Sequence, residues 1–141
     1  ANPLSSLIRI TYYTLDYIVG WQKYIRNDVH YDRYTVFDRY SYDFIVDPLR
    51  TRLNLLRSIR RFFVALTPQP GIVFYLDADP STIYTRKQEL SLDEIKRQVC
   101  EYRKLVQTNL SRFVTINAEQ TPEEMAHEAI IYLLNRYTEK I

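Results

Sequence analysis

The sequence predicts an α/β fold in three α/β/α layers, with helices on both faces of a parallel sheet. Short runs of β-forming residues alternate with helical periodicities along the 141 residues, the order that parallel strand–helix units require. The run Ile72-Val73-Phe74-Tyr75-Leu76 is apolar at every position, as in a strand covered on both faces. Val36-Phe37 runs directly into Asp38-Arg39-Tyr40, the pattern of a buried strand that ends at a functional edge.

The first element is a helix over Leu7–Arg26, with apolar residues at roughly helical spacing and Ser5 or Ser6 placed to cap it. Gly20 inside it costs up to about 1 kcal/mol against alanine and is expected to mark close packing. Residues 27–33 form a polar connection, and Thr35–Arg39 a short buried strand. Residues 41–47 start a helical or irregular segment, interrupted by Pro48. Leu53–Leu66 reads as a helix with an apolar face (Leu53, Leu56, Ile59, Phe63, Leu66) and a basic one. Thr67-Pro68-Gln69-Pro70-Gly71 ends it.

The apolar strand then ends at Asp77. Asp79-Pro80 starts a helix to about Lys87, with Asp79 as cap and Pro80 at its first position. Ser91-Leu92-Asp93-Glu94 is a capping box opening a long helix to about Asn109. Phe113–Asn117 is a third strand, and Thr121-Pro122-Glu123-Glu124 opens a last helix to about Tyr137. Three strands and about five helices in a single domain, 1–141, make an incomplete version of this architecture, because such sheets usually have about five strands.

Composition narrows the classes. Hydrophobic residues at 46% and charged residues at 26% are ordinary for a globular protein. The net charge of +2 does not argue for nucleic acid or an acidic membrane. No run approaches the ~18–20 apolar residues of a membrane helix, and no signal peptide opens the chain. Cys100 is the only cysteine, which excludes an intrachain disulfide, fits a reducing cytoplasmic setting, and reads as a helix packing residue. Arginine outnumbers lysine 14 to 5 among the 19 cationic residues. Thirteen tyrosines are expected to lie half-buried, ring packed and hydroxyl wet. The chain opens at Ala1-Asn2-Pro3 without methionine, as expected of a processed, tagged or truncated one.

Four stretches carry chemistry. In Asp38-Arg39-Tyr40, Asp38 suits a magnesium ion held through water or the role of base. Arg39 suits an anionic substrate group, and Tyr40 the pocket wall. The alternative is an ion pair at a strand end. Asp77 either faces a metal or stabilises a turn, with Asp79 capping a helix. The dense charges of residues 85–91 suit either a lid over phosphates or a solvated turn. Arg50, Arg52, Arg57, Arg60 and Arg61 suit an anionic ligand or a solvated helix face. His30 and His127 lack partners at metal-ligand spacing, and no nucleophile–histidine–acid set or paired-cysteine site is present.

Taken in order, these pieces resemble the thymidylate kinase-like family of P-loop nucleoside and nucleotide kinases. The resemblance runs from about Tyr34 to the C-terminus. It rests on Asp38-Arg39-Tyr40, on the Pro70–Pro80 strand and turn, on Arg86-Lys87 in a lid-like position, on the long helix through Tyr102, and on Val114-Thr115-Ile116-Asn117-Ala118. It implies catalytic roles for Asp38, Arg39 and Arg86, with Asp38 beside the transferred phosphoryl group and its metal. It implies acceptor binding by Arg39 and Tyr40, and cofactor binding by Arg86, Lys87 and the Ala118-Glu119 loop bordering adenine. ATP and magnesium are the implied cofactors, and a nucleoside monophosphate or similar small molecule the implied acceptor; the lid string selects no base.

The family opens with a strand and a Gly-x-x-x-x-Gly-Lys-Ser/Thr phosphate cradle. Here Gly20 and Gly71 are the only glycines and neither begins such a string. The chain is therefore expected to be the C-terminal part of a longer ATP-dependent phosphotransferase, inactive alone. In the family that first strand lies between the strand ending at Arg39 and the one ending at Asp77, so its absence leaves a gap in the sheet; another chain or a rearranged strand pairing is expected to fill it, and a homo-oligomer or association with the missing N-terminal segment is the expected partner. The alternative is a non-catalytic binding or regulatory module that keeps the kinase shape.

Overall fold

The computed structural model describes residues 2–30 and 33–138. They form two compact units, Ala1–Gln69 and Pro70–Ile141, each with its own core.

The N-terminal unit begins with helix α1, Pro3–Gly20. Asn2 caps it, its side chain accepting the Leu4 N–H at 3.1 Å, and Pro3 takes the first turn, where a missing N–H costs nothing. Ser6, expected near the cap, is instead fully buried inside the helix. Its hydroxyl donates to the Asn2 carbonyl at 3.0 Å and accepts the Asn54 N–H at 3.0 Å. The helix continues through a π-helical segment, Trp21–Ile25, into α2, Arg26–His30. Helix thus occupies the first part of the expected polar connection, of which Tyr31 and Asp32 lie outside the described residues. Gly20 is not a close-packing site: a β-carbon there would meet nothing within 4 Å.

Helix α3, Asp43–Val46, is buried along its whole length. Phe44 packs in it against Tyr13 and Tyr17 of α1, with ring centroids 5.9 and 6.1 Å apart. Helix α4, Arg57–Leu66, buries Val64, whereas Leu56 and Leu66 of the expected apolar face are exposed and Leu53 is buried ahead of the helix. Ile10, Phe44, Ile45, Val46, Leu53 and Val64 form the core.

The strand expected at Thr35–Arg39 is absent. Residues 33–40 are irregular, with a bend at Asp38-Arg39, Val36 87% exposed and Phe37 47% exposed. A strand needs a neighbour for its backbone N–H and C=O groups. Among the described residues none pairs with it, so the segment stays exposed, and Arg39 turns it at a positive φ of 74°.

In the C-terminal unit, strands β1 (Val73–Asp77) and β2 (Phe113–Asn117) form a parallel pair, in register from Val73 with Phe113 to Asp77 with Asn117. Helices α5 (Pro80–Arg86) and α6 (Leu92–Thr108) make the crossover, and α7 (Pro122–Thr138) follows β2. Asp79 caps α5 through its bond from the Ser81 N–H at 2.8 Å, as expected. Ser91 caps α6, but Glu94 turns to Arg97 and Gln98 instead of closing the box. Thr121 and Glu124 complete theirs at α7, with bonds of 3.3 and 2.9 Å.

Successive side chains of a strand point to opposite faces. Phe74 meets Tyr132 of α7 edge-on at 5.8 Å, and Tyr75 stacks on Tyr102 of α6 at 5.4 Å. The sheet of this unit therefore has a helix on each face, with Phe113, Ile116, Ile95, Val99 and Leu105 in the core. The fold is mixed α/β with a parallel sheet of two strands among the described residues, not three. Cys100 is exposed on α6 and does not pack.

Candidate functional site

Ligands of open parallel sheets bind beyond the carboxyl ends of the strands, and polar side chains gather at that edge of the C-terminal unit. Asp77 closes β1, and Arg103 of α6 grips its carboxylate with Nε at 3.1 and 3.2 Å and Nη2 at 3.1 Å. The hydroxyl of Tyr75, two residues back on the same face, donates to Asp77 Oδ1 at 3.0 Å. Burial first, then this bond to a carboxylate, pushes the Tyr75 phenol well above its usual range. The same carboxylate raises the Arg103 guanidinium. The carboxylate expected to face a metal or stabilise a turn is held in an internal ion pair with Arg103 at the strand end.

Beyond β2, the Asn117 side chain accepts the Glu119 N–H at 2.9 Å, and the Ala118 N–H bonds the Asp77 carbonyl at 2.7 Å. Glu119 reaches the start of α5, accepting from the Asp79 N–H at 3.5 Å and the Thr82 hydroxyl at 3.4 Å. Arg86 Nη1 donates to the Ala118 carbonyl at 2.5 Å. The bonds from Ser81 hold the Asp79 carboxyl below its usual range. Three of the four expected cofactor-binding residues, Arg86, Ala118 and Glu119, thus meet at one edge. Lys87 ends α5 and pairs with Glu89 at 3.0 Å on the exposed turn before α6.

Asp38, Arg39 and Tyr40 belong to the N-terminal unit. Asp38 is exposed. Arg39 pairs with Asp43 of α3 at 3.1 Å. Tyr40 lies against Tyr17 at 4.8 Å, and its hydroxyl donates to the Pro68 carbonyl at 2.6 Å. Tyr40 therefore anchors the loop to the segment after α4. Burial, more than the neighbouring Tyr17 and Tyr42 phenols, pushes its pKa up to about 12.

That shift has a sign. The folded value of about 12 lies above the ordinary value of 10, so folding favours the neutral phenol. Its contribution is complete below pH 10 and is lost as the pH climbs towards 12. Tyr40→Phe lacks both the bond and the titration. Chemical denaturation across this range is expected to show the stability gap between wild type and Tyr40→Phe widest below pH 10 and closing above it. A constant gap removes Tyr40 as the titrating group.

Within the arginine group, Arg60 departs from the expected solvated face. Arg60 turns inward and bonds the Phe44, Ile45 and Leu55 carbonyls at 2.8, 3.0 and 3.1 Å, whereas Arg50, Arg57 and Arg61 are exposed. Among the described residues, no group of three or more histidine, cysteine, aspartate or glutamate side chains is placed to hold a metal ion. No helix of the described residues is long and apolar enough to cross a membrane. Sequence reasoning missed Arg103, Tyr75 and Asn117. Their signal was available only for Arg103: a strand-end carboxylate such as Asp77 calls for a cation on the covering helix. No protein-family model matches the chain, and no curated protein matches it significantly.

Proposed function

We propose that this chain forms part of an ATP-dependent phosphotransferase of the thymidylate kinase-like class, acting on a nucleoside monophosphate or similar acceptor. The observation that carries the reading is the Arg86 contact with the Ala118 carbonyl at the carboxyl edge of β2. It sets a cation beside the loop that would border the nucleotide base, in the sequence order this class uses. The bare, apolar Val36-Phe37 segment agrees with a sheet whose neighbouring strand is supplied from elsewhere. Asp38 would hold magnesium, Arg39 the acceptor phosphate and Tyr40 the acceptor pocket. Lys87 would join Arg86 on the ATP side. Catalysis would rest on positioning and charge stabilisation. With two glycines and no phosphate cradle, the 141 residues alone turn nothing over.

A second reading, a non-catalytic binding or regulatory module, is favoured by one observation. Each cation assigned to phosphate already has a partner within the chain: Arg39 on Asp43, Arg86 on Ala118, Lys87 on Glu89. Titration calorimetry with magnesium-ATP and the nucleotide sequence upstream of Ala1 separate the two. The kinase reading expects no micromolar binding by the isolated chain and a Gly-rich loop encoded upstream. In the loop-bearing protein, Arg39→Ala should cut turnover ~100-fold or more while the protein stays folded. Turnover within a few-fold of wild type would remove Arg39 from the acceptor site, and a natural start near Ala1 would select the module.

A further inference from the structure

The N-terminal unit holds an open cavity of about 490 Å³, lined by Ser5 and Arg9 of α1 and by Leu49, Arg52, Leu53 and Asn54 of the segment between α3 and α4. That volume lies in the range of small-molecule sites. Two of the lining residues are cations and none is an acid. A cleft lined by one sign of charge focuses its field on a counter-ion. Backbone strain and hydrogen bonds hold the wall in place. Arg52 has a φ of 52°, in the left-handed region that residues with a β-carbon enter at a cost, and strained residues of this kind cluster at ligand sites. From this turn the Arg52 carbonyl accepts from Arg9 Nη1 at 2.7 Å, and two residues on the Asn54 N–H donates to the Ser6 hydroxyl at 3.0 Å. Arg9 is thus fixed through one nitrogen. Its Nε and Nη2, and the whole guanidinium of Arg52, make no other bond or ion pair among the described residues.

We propose that this cavity binds the phosphate group of a small phosphorylated organic molecule. One guanidinium fork satisfies the two oxygens of a carboxylate. A phosphate monoester, with three terminal oxygens and nearly twice the charge, takes two forks. Leu53 is buried and Leu49 is 74% exposed, and together they offer the organic part an apolar surface that a bare inorganic ion would not use. The Ser5 hydroxyl donates to the Asn2 carbonyl at 2.8 Å, which leaves its oxygen free to accept from the ligand. None of the six lining residues is assigned to ATP or to the acceptor, so the site is independent of the kinase reading.

Titration calorimetry of the whole chain with phenyl phosphate, in buffer free of magnesium and phosphate, tests it. Phenyl phosphate should bind with a dissociation constant on the order of 100 μM, and inorganic phosphate and benzoate each about tenfold more weakly. Arg52→Asn removes the guanidinium but keeps a residue that tolerates the left-handed turn, and should weaken phenyl phosphate binding about tenfold or more. Arg9→Gln should do the same; circular dichroism checks that it folds, and if it does not, Arg52→Asn decides alone. Arg61→Gln, at an exposed cation outside the cavity, should leave binding unchanged. Four results overturn the proposal: no heat with millimolar phenyl phosphate, binding that survives Arg52→Asn, inorganic phosphate bound as tightly as the ester, or benzoate bound as tightly. Binding that Arg39→Ala abolishes and Arg52→Asn spares would belong to the acceptor site; it would overturn this proposal and leave the kinase reading standing.

Discussion

Replacing Arg60 with methionine is expected to destabilise the N-terminal unit by about 2–4 kcal/mol. The guanidinium donates to three carbonyls, Phe44 and Ile45 of α3 at 2.8 and 3.0 Å and Leu55 at 3.1 Å. Phe44 and Ile45 are 4% and 6% exposed, so water does not readily replace the lost donor. A hydrogen bond from a charged donor contributes about 1.5–3 kcal/mol, and the three made by one guanidinium do not add in full, whereas a buried acceptor left bare costs the desolvation of that group. Methionine keeps most of the apolar stem, so the loss reports the polar contacts and not a cavity. Arg60→Lys should fall between, because an ammonium lacks the planar fork that spans separate carbonyls. Denaturant unfolding followed by far-ultraviolet dichroism measures both. A loss below ~0.5 kcal/mol for Arg60→Met would show that the carbonyls are satisfied without it.

The second large effect is expected at Ile116, where alanine should cost the C-terminal unit about 3–5 kcal/mol. Ile116 is 1% exposed in the middle of β2 and pairs in register with Leu76 of β1. A two-stranded sheet is marginal in water and depends on the helices packed on it. By strand alternation Ile116 shares the face of Phe74, which Tyr132 of α7 covers. The cavity therefore opens where α7 is held to the sheet. Leu76→Ala is the control: Leu76 is 51% exposed, and its loss should stay near 1 kcal/mol. Hydrogen exchange should show α7 amides losing protection in Ile116→Ala but not in Leu76→Ala. Equal losses at the two positions would mean that the sheet face, not the α7 contact, sets the stability.

What the sequence by itself determined is local. The caps of α5 and α7 are legible because Asp79-Pro80 and Thr121 with Glu124 satisfy helix N–H groups within a few residues. Both observed strands are legible, the first because Ile72–Leu76 is a continuous apolar run that suits a sheet covered on two faces, the second because Phe113–Asn117 is a short run rich in β-formers. The contact of Arg86 with the Ala118 carbonyl was not legible, because it joins segments 32 residues apart. What the tertiary structure decided is every feature that depends on a partner distant in sequence. Thr35–Arg39 has strand composition but no strand beside it, so its apolar residues are exposed and Arg39 turns away to Asp43. Arg60 has the look of a surface cation and instead braces the carbonyls of α3. Asp77 is matched by Arg103, 26 residues on. Composition specifies what a segment can bury or bond. The neighbours that the fold places beside it determine whether it does, because a backbone or charged group withdrawn from water must find its partner in the protein.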